Sequence, residues 1–573
     1  MAGKKNKKRI AILGGGPSSL FVYKRLVESR TGYEIDIFER KKELGSGMPY
    51  SAEGASAEHI TNVSANEVPD IATGMEDWIK TLDEATLKQF HIDPDKFTKY
   101  HVVPRLLFGR YLSSQFELLQ KKAQKLGIVT RIHLGCNVVD IADQPEREKV
   151  QIEIQGGEFA EFDAVVICTG HNWPIEHEGT VPGYYDSPYP PSKLKMKIDH
   201  PIAIRGASLT AIDAVRTLAR QNGSFQQKDD GKLVYIPADE DSKFRMVMHS
   251  RNGLLPAIRF HLEEPQLSSD SLLTHQEIAE NRAKNDGFLS LDFLFDENFK
   301  KGFRKKDAKF YKKISNMNIE AFVEAAMAVR EGKDPFQLFR EEYAEAEKSI
   351  REKESIYWKE MLAELSYTMN YPAKYLSAED MLRLKKVLMP LISVVIAFVP
   401  QSSCEELLAL NDAGKLTIVA VDADSKVVPK KEGGVVYKFK DEQNKSHAFS
   451  YKTFINCVGQ PHLNYGDLPF KSLLTRKTVS QAMLRFKSAE EGQKQLKEGH
   501  DEVVQNMNGD YFLKVTGVTI NDYFQVVNEY GIANERIFIM AVPYIGGYNP
   551  DYSGLDFSEE ASKCIVEKLH ETM

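Results

Sequence analysis

Cysteine is scarce. The 573 residues contain five, Cys136, Cys168, Cys404, Cys457 and Cys564, and no two form a C-x-x-C pair. That argues against a disulfide framework, a zinc ribbon or a dithiol redox pair, and it fits a reducing cytoplasm. HExxH, clustered His/Cys ligands and a nucleophile elbow are also missing, so no metal site is expected and no catalytic residue stands out. Long apolar runs are lacking. The most apolar window, Val387–Pro400, contains Pro390 and falls short of the roughly 18 residues a membrane span needs. A buried helix is expected there, with no stable membrane insertion. "MAGKKNKKR" is followed by only the short run Ile10–Leu13 before glycine, too little for a signal peptide. Excess positive charge is absent as well. Lys and Arg total 75 against 82 Asp and Glu, a formal charge of −7, which counts against nucleic acid as a partner.

The composition, 42% hydrophobic and 27% charged, is that of a globular chain. At about 100–200 residues per domain, two to four domains are expected. The most informative stretch is "RIAILGGGPSSLFVYKRL", Arg9–Leu26. Ile10–Leu13 reads as a buried parallel strand and Leu20–Leu26 as a helix. Gly14, Gly16 and Ser19 between them form G-x-G-x-x-S. Gly14 permits the tight turn, Gly16 lets a pyrophosphate approach the backbone, and Ser19 is small enough for helix–strand packing. A second strand, Tyr33–Phe38, ends in Glu39, 25 residues after Gly14. That is near the distance of the acid that binds a ribose hydroxyl. A carboxylate repels a 2′-phosphate, so this adenosine belongs to FAD or NAD rather than NADP.

The chain also echoes itself. Arg131–Gly170 and Lys415–Gly459 each show alternating strands, a polar turn and an apolar strand ending in glycine, "VVICTG" and "FINCVG". Between them, "PIAIRGASLTAIDAVRTLA" places Gly206, Ser208 and Ala211 as G-x-S-x-x-A. The following strand "FRMVMHSR" ends in Ser250 and Arg251, a hydroxyl and a guanidinium suited to a 2′-phosphate. This lobe is either an NADPH site or a lobe that no longer binds. The 45 residues from Gly206 to Arg251 imply an inserted loop near "QNGSFQQKDDGK".

In order, "GGGPSS", "FER", "CTG", "RGASLTAIDA", "NCVG" and a terminal "GG" with its helix resemble the bacterial FAD-NAD(P)-binding flavoproteins. These are two-dinucleotide-domain proteins related to the N-hydroxylating and flavin-containing monooxygenases. "GSGMPYS", "HITNVSANEVP", "VPRLLFGRYL" and "SRNGLLP" carry the likeness further. The resemblance implies an α/β fold with two Rossmann-like lobes, for FAD and NAD(P), and a helical insert. The expected divisions are 1–200 (FAD lobe, first part), 201–264 (NAD(P)-like lobe), 265–400 (helical insert) and 401–573 (the remainder of both lobes).

It further implies that Gly14, Gly16, Pro17, Ser18, Ser19, Glu39 and Arg40 hold the ADP half of FAD. Met48, Pro49, Tyr50, Asn62 and Arg105 would lie along its ribityl chain, pyrophosphate or ring. Val139 would meet the adenine, Thr169 and Gly170 would cross the cofactor, and Gly546, Gly547 and Asn549 would line the flavin. A C-terminal strand, Ile537–Ala541, would precede a helix from about Ser558 aimed at the flavin. Gly206, Ser208, Ser250 and Arg251 would take NADPH or NADH.

The implied function is an FAD-dependent, NAD(P)H-using oxidoreductase of a small molecule, with a monooxygenase as one branch. The alternatives are a redox-sensing flavoprotein whose insert binds a macromolecule, and a flavin oxidase that ignores nicotinamide. Asp186 or Ser187 occupies the place of a histidine of the monooxygenase branch, which counts against oxygenation. His171, after the "CTG" glycine, could touch the ring or only cap a loop. The segment Phe336–Tyr357 reads as one helical stripe, and the basic run Lys300–Lys313 as an exposed helix face.

Overall fold

Ile10–Leu13 is apolar on both faces, as a strand covered on both sides must be. In the structure, a computed structural model that describes residues 7–30, 32–170, 173–263, 272–460, 462–550 and 554–573, it lies inside a six-stranded sheet. The strand order is Gln525–Val527, Ala533–Ile539, Ala164–Ile167, Arg9–Leu13, Glu34–Glu39 and Thr130–Leu134. Every neighbouring pair is parallel except the first, which is antiparallel. A second, all-parallel sheet runs Tyr184–Tyr185, Thr453–Asn456, Pro201–Arg205, Arg245–Ser250 and Leu416–Ala420. The fold is α/β with two Rossmann-like lobes.

The two lobes repeat one another closely. Strand Arg9–Leu13 feeds helix Pro17–Glu28, and strand Pro201–Arg205 feeds helix Leu209–Asn222. The Gly14 and Gly206 amides donate to the carbonyls of Phe38 and His249, each at 2.8 Å. The Cys168 and Cys457 amides donate to Leu13 and Arg205, again at 2.8 Å. Helices Arg105–Lys125 and Gln401–Asp412 both start directly after a Val-Pro pair, and each leads to an outer strand of its sheet. A three-stranded antiparallel meander follows in both lobes, over Val138–Phe162 and Lys426–Tyr451. The echo between residues 131–170 and 415–459 is therefore a repeat of structure.

The helical region occupies the single crossover between strands Arg245–Ser250 and Leu416–Ala420, with described helices from His275 to Asp412. Helix Gln401–Asp412 packs on the second lobe as its crossover helix. Val387–Pro400 is not one helix: a π-helical turn, Leu384–Leu388, passes into the α-helix Met389–Val395. Pro390 has no N–H to give, so it is tolerated only in the first turn of a renewed helix. The stripe from Phe336 also breaks. Helix Pro335–Glu352 ends at Lys353, whose φ is +54°, and Tyr357 opens the next helix, Tyr357–Met369.

The long Gly206–Arg251 spacing is explained by an antiparallel hairpin, Gly223–Gln227 with Leu233–Pro237. Lys300–Lys313 spans two short helices, Lys301–Lys306 and Ala308–Ile314, with most of its charges exposed and Phe303 buried between them. Among the described residues, no helix is long and apolar enough to cross a membrane.

Candidate cofactor-binding site

A cavity of about 430 Å³ opens at the C-terminal end of the first sheet. Ligands of open parallel sheets bind at that end, because the strand-to-helix turns there expose backbone amides. Gly14, Gly16, Pro17 and Ser18 form its floor, with Glu39 and Arg40 at the end of the second strand. Met48, Pro49, Tyr50, Val139, Thr169 and Gly170 complete the expected residues on its wall. These twelve, far apart in sequence, are brought together.

Two helix N-termini converge on the cavity. Helix Pro17–Glu28 has Gly16 as N-cap and helix Leu555–Thr572 has Gly554, and neither cap supplies a side-chain hydrogen bond. The hydroxyls of Ser18 and Ser558 lie 3.4 Å apart, and Lys24 reaches across to Glu559 at 3.0 Å. First-turn amides left free by their caps, with the positive ends of two dipoles, make a site for an anionic group. The last helix begins at Leu555, close to the expected Ser558, after strand Ala533–Ile539.

Glu39 is buried. Its carboxylate accepts the Gly15 amide at 2.5 Å and the Lys41 amide at 2.8 Å, which fixes the glycine turn against the end of the second strand. Gly14 has φ of +102°, and a Cβ there would stand 2.7 Å from the Cys168 carbonyl oxygen. Glycine is needed at this crossing whether or not anything is bound. At Gly16 a Cβ would meet only the Gly47 Cα, at 3.4 Å, and would otherwise stand in open space. The buried Thr169 hydroxyl has no partner among the described residues and belongs to the cavity wall. A glycine cradle, free helix-end amides, an acid at the strand end and an unmatched hydroxyl fit the phosphate, ribose and polar edges of a dinucleotide. Burial pushes the Cys168 and Cys457 thiols well up, so neither is a thiolate nucleophile.

Other expected residues lie elsewhere. Arg105 is not among the residues lining the cavity: its guanidinium binds Asp213 at 2.6 Å and the Ile60 carbonyl at 3.2 Å. Asp213 belongs to the second lobe and also accepts the Tyr189 hydroxyl at 3.0 Å, so Arg105 joins the lobes. A guanidinium that is 14% exposed stays beside a carboxylate because desolvation would otherwise leave both charges uncompensated. Ser19 is fully buried, with its hydroxyl on the Gly16 carbonyl at 2.8 Å.

The Asn62 carbonyl accepts from Arg259, which also binds Ser64 at 2.6 Å and pairs with Glu67. Gly546 and Gly547 lie under His462 and beside Val515 and Thr516, where a Cβ would collide. Asn549 is buried, with its amide on the Ile545 carbonyl. Asp186 gathers the amides of Glu176, His177 and Glu178 at 2.8–2.9 Å, which makes it a loop tether. His171 lies outside the described residues.

The cavity also takes residues that were not singled out as cofactor contacts: Phe38, Lys41, Cys136, Pro469, Phe470 and Tyr544. Pro469 and Phe470 come from a loop with no motif, so only the folded chain reveals them. In the second lobe, Gly206 has φ of +109° and its Cβ would stand 2.7 Å from the Cys457 carbonyl, as at Gly14. Ser208 is the exposed N-cap of helix Leu209–Asn222, Ser250 ends its strand half-buried, and Arg251 is exposed beside it.

Residues 11–172 match the FAD-NAD(P)-binding family model, and residues 274–396 match the YdhS-like middle domain. The uncharacterized protein YdhS of Escherichia coli (strain K12) is 30% identical over 470 residues, 81% of this chain and 86% of that protein. The chain belongs to the YdhS family. The expected flavoprotein resemblance is shown for the first lobe, and the insert, which carried no recognised motif, is the middle domain of this family. Similar solved structures include an ornithine N-hydroxylase of Kutzneria sp. 744, with 12% identity, 99% of both chains covered and a TM-score of 0.46. The cadaverine monooxygenase DfoA of Erwinia amylovora has 9% identity, covers 99% of this chain and 95% of its own, and gives a TM-score of 0.48.

Proposed function

We propose that this YdhS-family protein is an FAD-dependent oxidoreductase reduced by NAD(P)H, with the dinucleotide of FAD in the first-lobe cavity and the nicotinamide nucleotide on the second lobe. The cavity built from the Gly14–Ser18 turn, Glu39, Thr169 and the N-terminus of helix Leu555–Thr572 carries this reading. The FAD-NAD(P)-binding match over residues 11–172 supports it.

A bound flavin supplies two-electron chemistry by accepting hydride from a nicotinamide. The chain's own part is to bind and to orient. First-turn amides of the two convergent helices hold a pyrophosphate, and Gly16 leaves room for its approach. Glu39 keeps a lone pair for a ribose hydroxyl while it anchors Gly15, and its charge turns away a 2′-phosphate. Phe38, Met48, Pro49, Phe470 and Tyr544 keep water from the bound group. On the second lobe, Ser250 and Arg251 stand at the register of Glu39 and Arg40. A hydroxyl and a guanidinium there attract a 2′-phosphate, so NADPH is the preferred donor.

The test is an anaerobic titration of the purified protein with FAD bound. Loss of the visible flavin bands within seconds of adding NADPH is expected, with NADH slower. Bands that bleach with neither nucleotide overturn the proposal. Arg251→Ala should cut the preference for NADPH over NADH by about tenfold or more, the worth of one charge-assisted hydrogen bond. Peroxide release on readmitting air then separates an oxygen-using enzyme from one that passes electrons to another acceptor.

A further inference from the structure

A second cavity, of about 460 Å³, lies within the helical middle domain and shares no residue with the first. Its volume falls in the ~300–1,000 Å³ range of small-molecule sites. The apolar wall comes from several helices: Phe310 and Ile314, Phe322 and Ala326 of helix Ile319–Glu331, Leu338, and Trp358 of helix Tyr357–Met369. Val329 beside it is 65% exposed.

The other wall is ionic, and the mechanism above uses none of it. Arg330 and Lys359 are 3% and 2% exposed. The Arg330 guanidinium holds Glu342 in a two-pronged contact at 2.7 and 3.0 Å. Lys359 Nζ sits 3.4 Å from that same carboxylate and 3.0 Å from Glu345. Glu342 is buried, whereas the Glu345 side chain is 51% exposed. Two deeply buried cations thus share one buried anion, and the second anion is one that can swing into water. Arg330 Nε is buried and has no acceptor among the described residues. Counting the rim, Lys313, Arg330, Lys333 and Lys359 face Glu341, Glu342 and Glu345, one positive charge in excess.

A buried lysine whose matching carboxylate is half in solvent is a poor structural device, because the pair gives up solvation without excluding water from its anion. It is a good receptor for an incoming carboxylate. We infer that this cavity binds a monocarboxylic acid with an apolar tail, whose carboxylate displaces Glu345 from Lys359 while the tail packs against Phe322, Ala326 and Trp358. This inference does not depend on the flavin reading, since it concerns a separate cavity.

Octanoate is the probe, with octylamine as its matched cation, titrated calorimetrically into the full-length protein. Octanoate should bind at one site about tenfold or more tighter than octylamine, as expected if one charge-assisted hydrogen bond selects the anion. Glu345→Gln, a change at a half-exposed position, removes the competing charge and should tighten octanoate binding severalfold. Ala326→Trp fills the cavity and should abolish binding, while far-UV circular dichroism and the visible spectrum stay those of the wild type. The inference is overturned if octanoate does not bind at millimolar concentration, if octylamine binds as tightly, or if Glu345→Gln does not tighten binding. Undiminished binding to folded Ala326→Trp also overturns it, and should that variant fail to fold, the Glu345→Gln arm still decides.

Discussion

Two glycines two positions apart have different duties, and substituting each alone separates fold from binding. Gly14→Ala places a methyl 2.7 Å from the Cys168 carbonyl at φ of +102°. The backbone strain is of order 1–3 kcal/mol. The contact is with a main-chain oxygen that cannot rotate away, which adds roughly another 1–3 kcal/mol of overpacking. Gly16→Ala behaves otherwise. Its φ of −84° and ψ of −165° suit any residue, and the new methyl meets only the Gly47 Cα at 3.4 Å. The cost to stability is at most about 1 kcal/mol, as for alanine at an N-cap. The methyl instead stands where a phosphate would approach, and a displacement worth roughly 1–3 kcal/mol weakens binding about 5- to 150-fold. The assay pairs thermal unfolding of flavin-stripped protein with the flavin-to-protein ratio after gel filtration. Gly14→Ala should lower the midpoint of unfolding by several degrees even without flavin. Gly16→Ala should keep the midpoint and lose flavin. Wild-type flavin affinity in Gly16→Ala refutes the assignment of the phosphate site, and an unchanged midpoint in Gly14→Ala refutes the argument for its backbone.

Two further outcomes follow from buried charges. Arg105→Met should destabilise the protein by about 3–5 kcal/mol, because it leaves Asp213 buried with only a tyrosine hydroxyl for company. Adding Asp213→Asn should recover part of that loss in urea unfolding, and a cost below about 1 kcal/mol for Arg105→Met would show that the pair does not tie the lobes. His249 is 1% exposed, and burial lowers its pKa from 6.5 to about 4, although the Val247 carbonyl on its ring favours the charged form. Between those values the unfolded chain binds the proton and the folded chain does not, so stability falls as pH drops from about 7 to 4, by roughly 3 kcal/mol in all. His249→Phe should flatten that part of the curve of unfolding midpoint against pH, and an unchanged slope would refute it.

Much of the first lobe was legible because its signals are local. A four-residue apolar strand, three glycines and an acid at the next strand end define a turn whose geometry leaves little choice. The same holds for the echo of strand, meander and strand, since alternation survives wherever one sheet face is wet. What stayed hidden depends on distant partners. Arg105 sits at a helix start, where either a phosphate or a carboxylate would suit it, and only the packing of the second lobe supplies Asp213. Gly546 and Gly547 read as ligand glycines, yet close approach by His462 and Thr516 demands them just as strongly. Composition cannot show that Tyr357 opens a new helix, because Lys353 interrupts the stripe through backbone conformation alone.

The repeat itself distinguishes these duties. Superposing the hydrogen-bonded turns aligns Gly14 with Gly206, Gly16 with Ser208, Glu39 with Ser250 and Arg40 with Arg251. The glycine whose Cβ would stand 2.7 Å from a crossing carbonyl oxygen occurs in both lobes, because both sheets close the same way. The N-cap glycine is kept only in the first lobe. Ser208 has nearly the same backbone angles, φ of −87° and ψ of −169°, so the fold tolerates a side chain there. The backbone therefore does not demand glycine at position 16. On the proposed function, glycine there leaves room for the phosphate that approaches the turn. The first lobe would then take a phosphate group pressed against main chain, and the second a group held at the distance of a hydroxyl. That difference suits a tightly resident dinucleotide in one lobe and an exchangeable one in the other, and Ser208→Gly should therefore slow nicotinamide release while leaving flavin content unchanged.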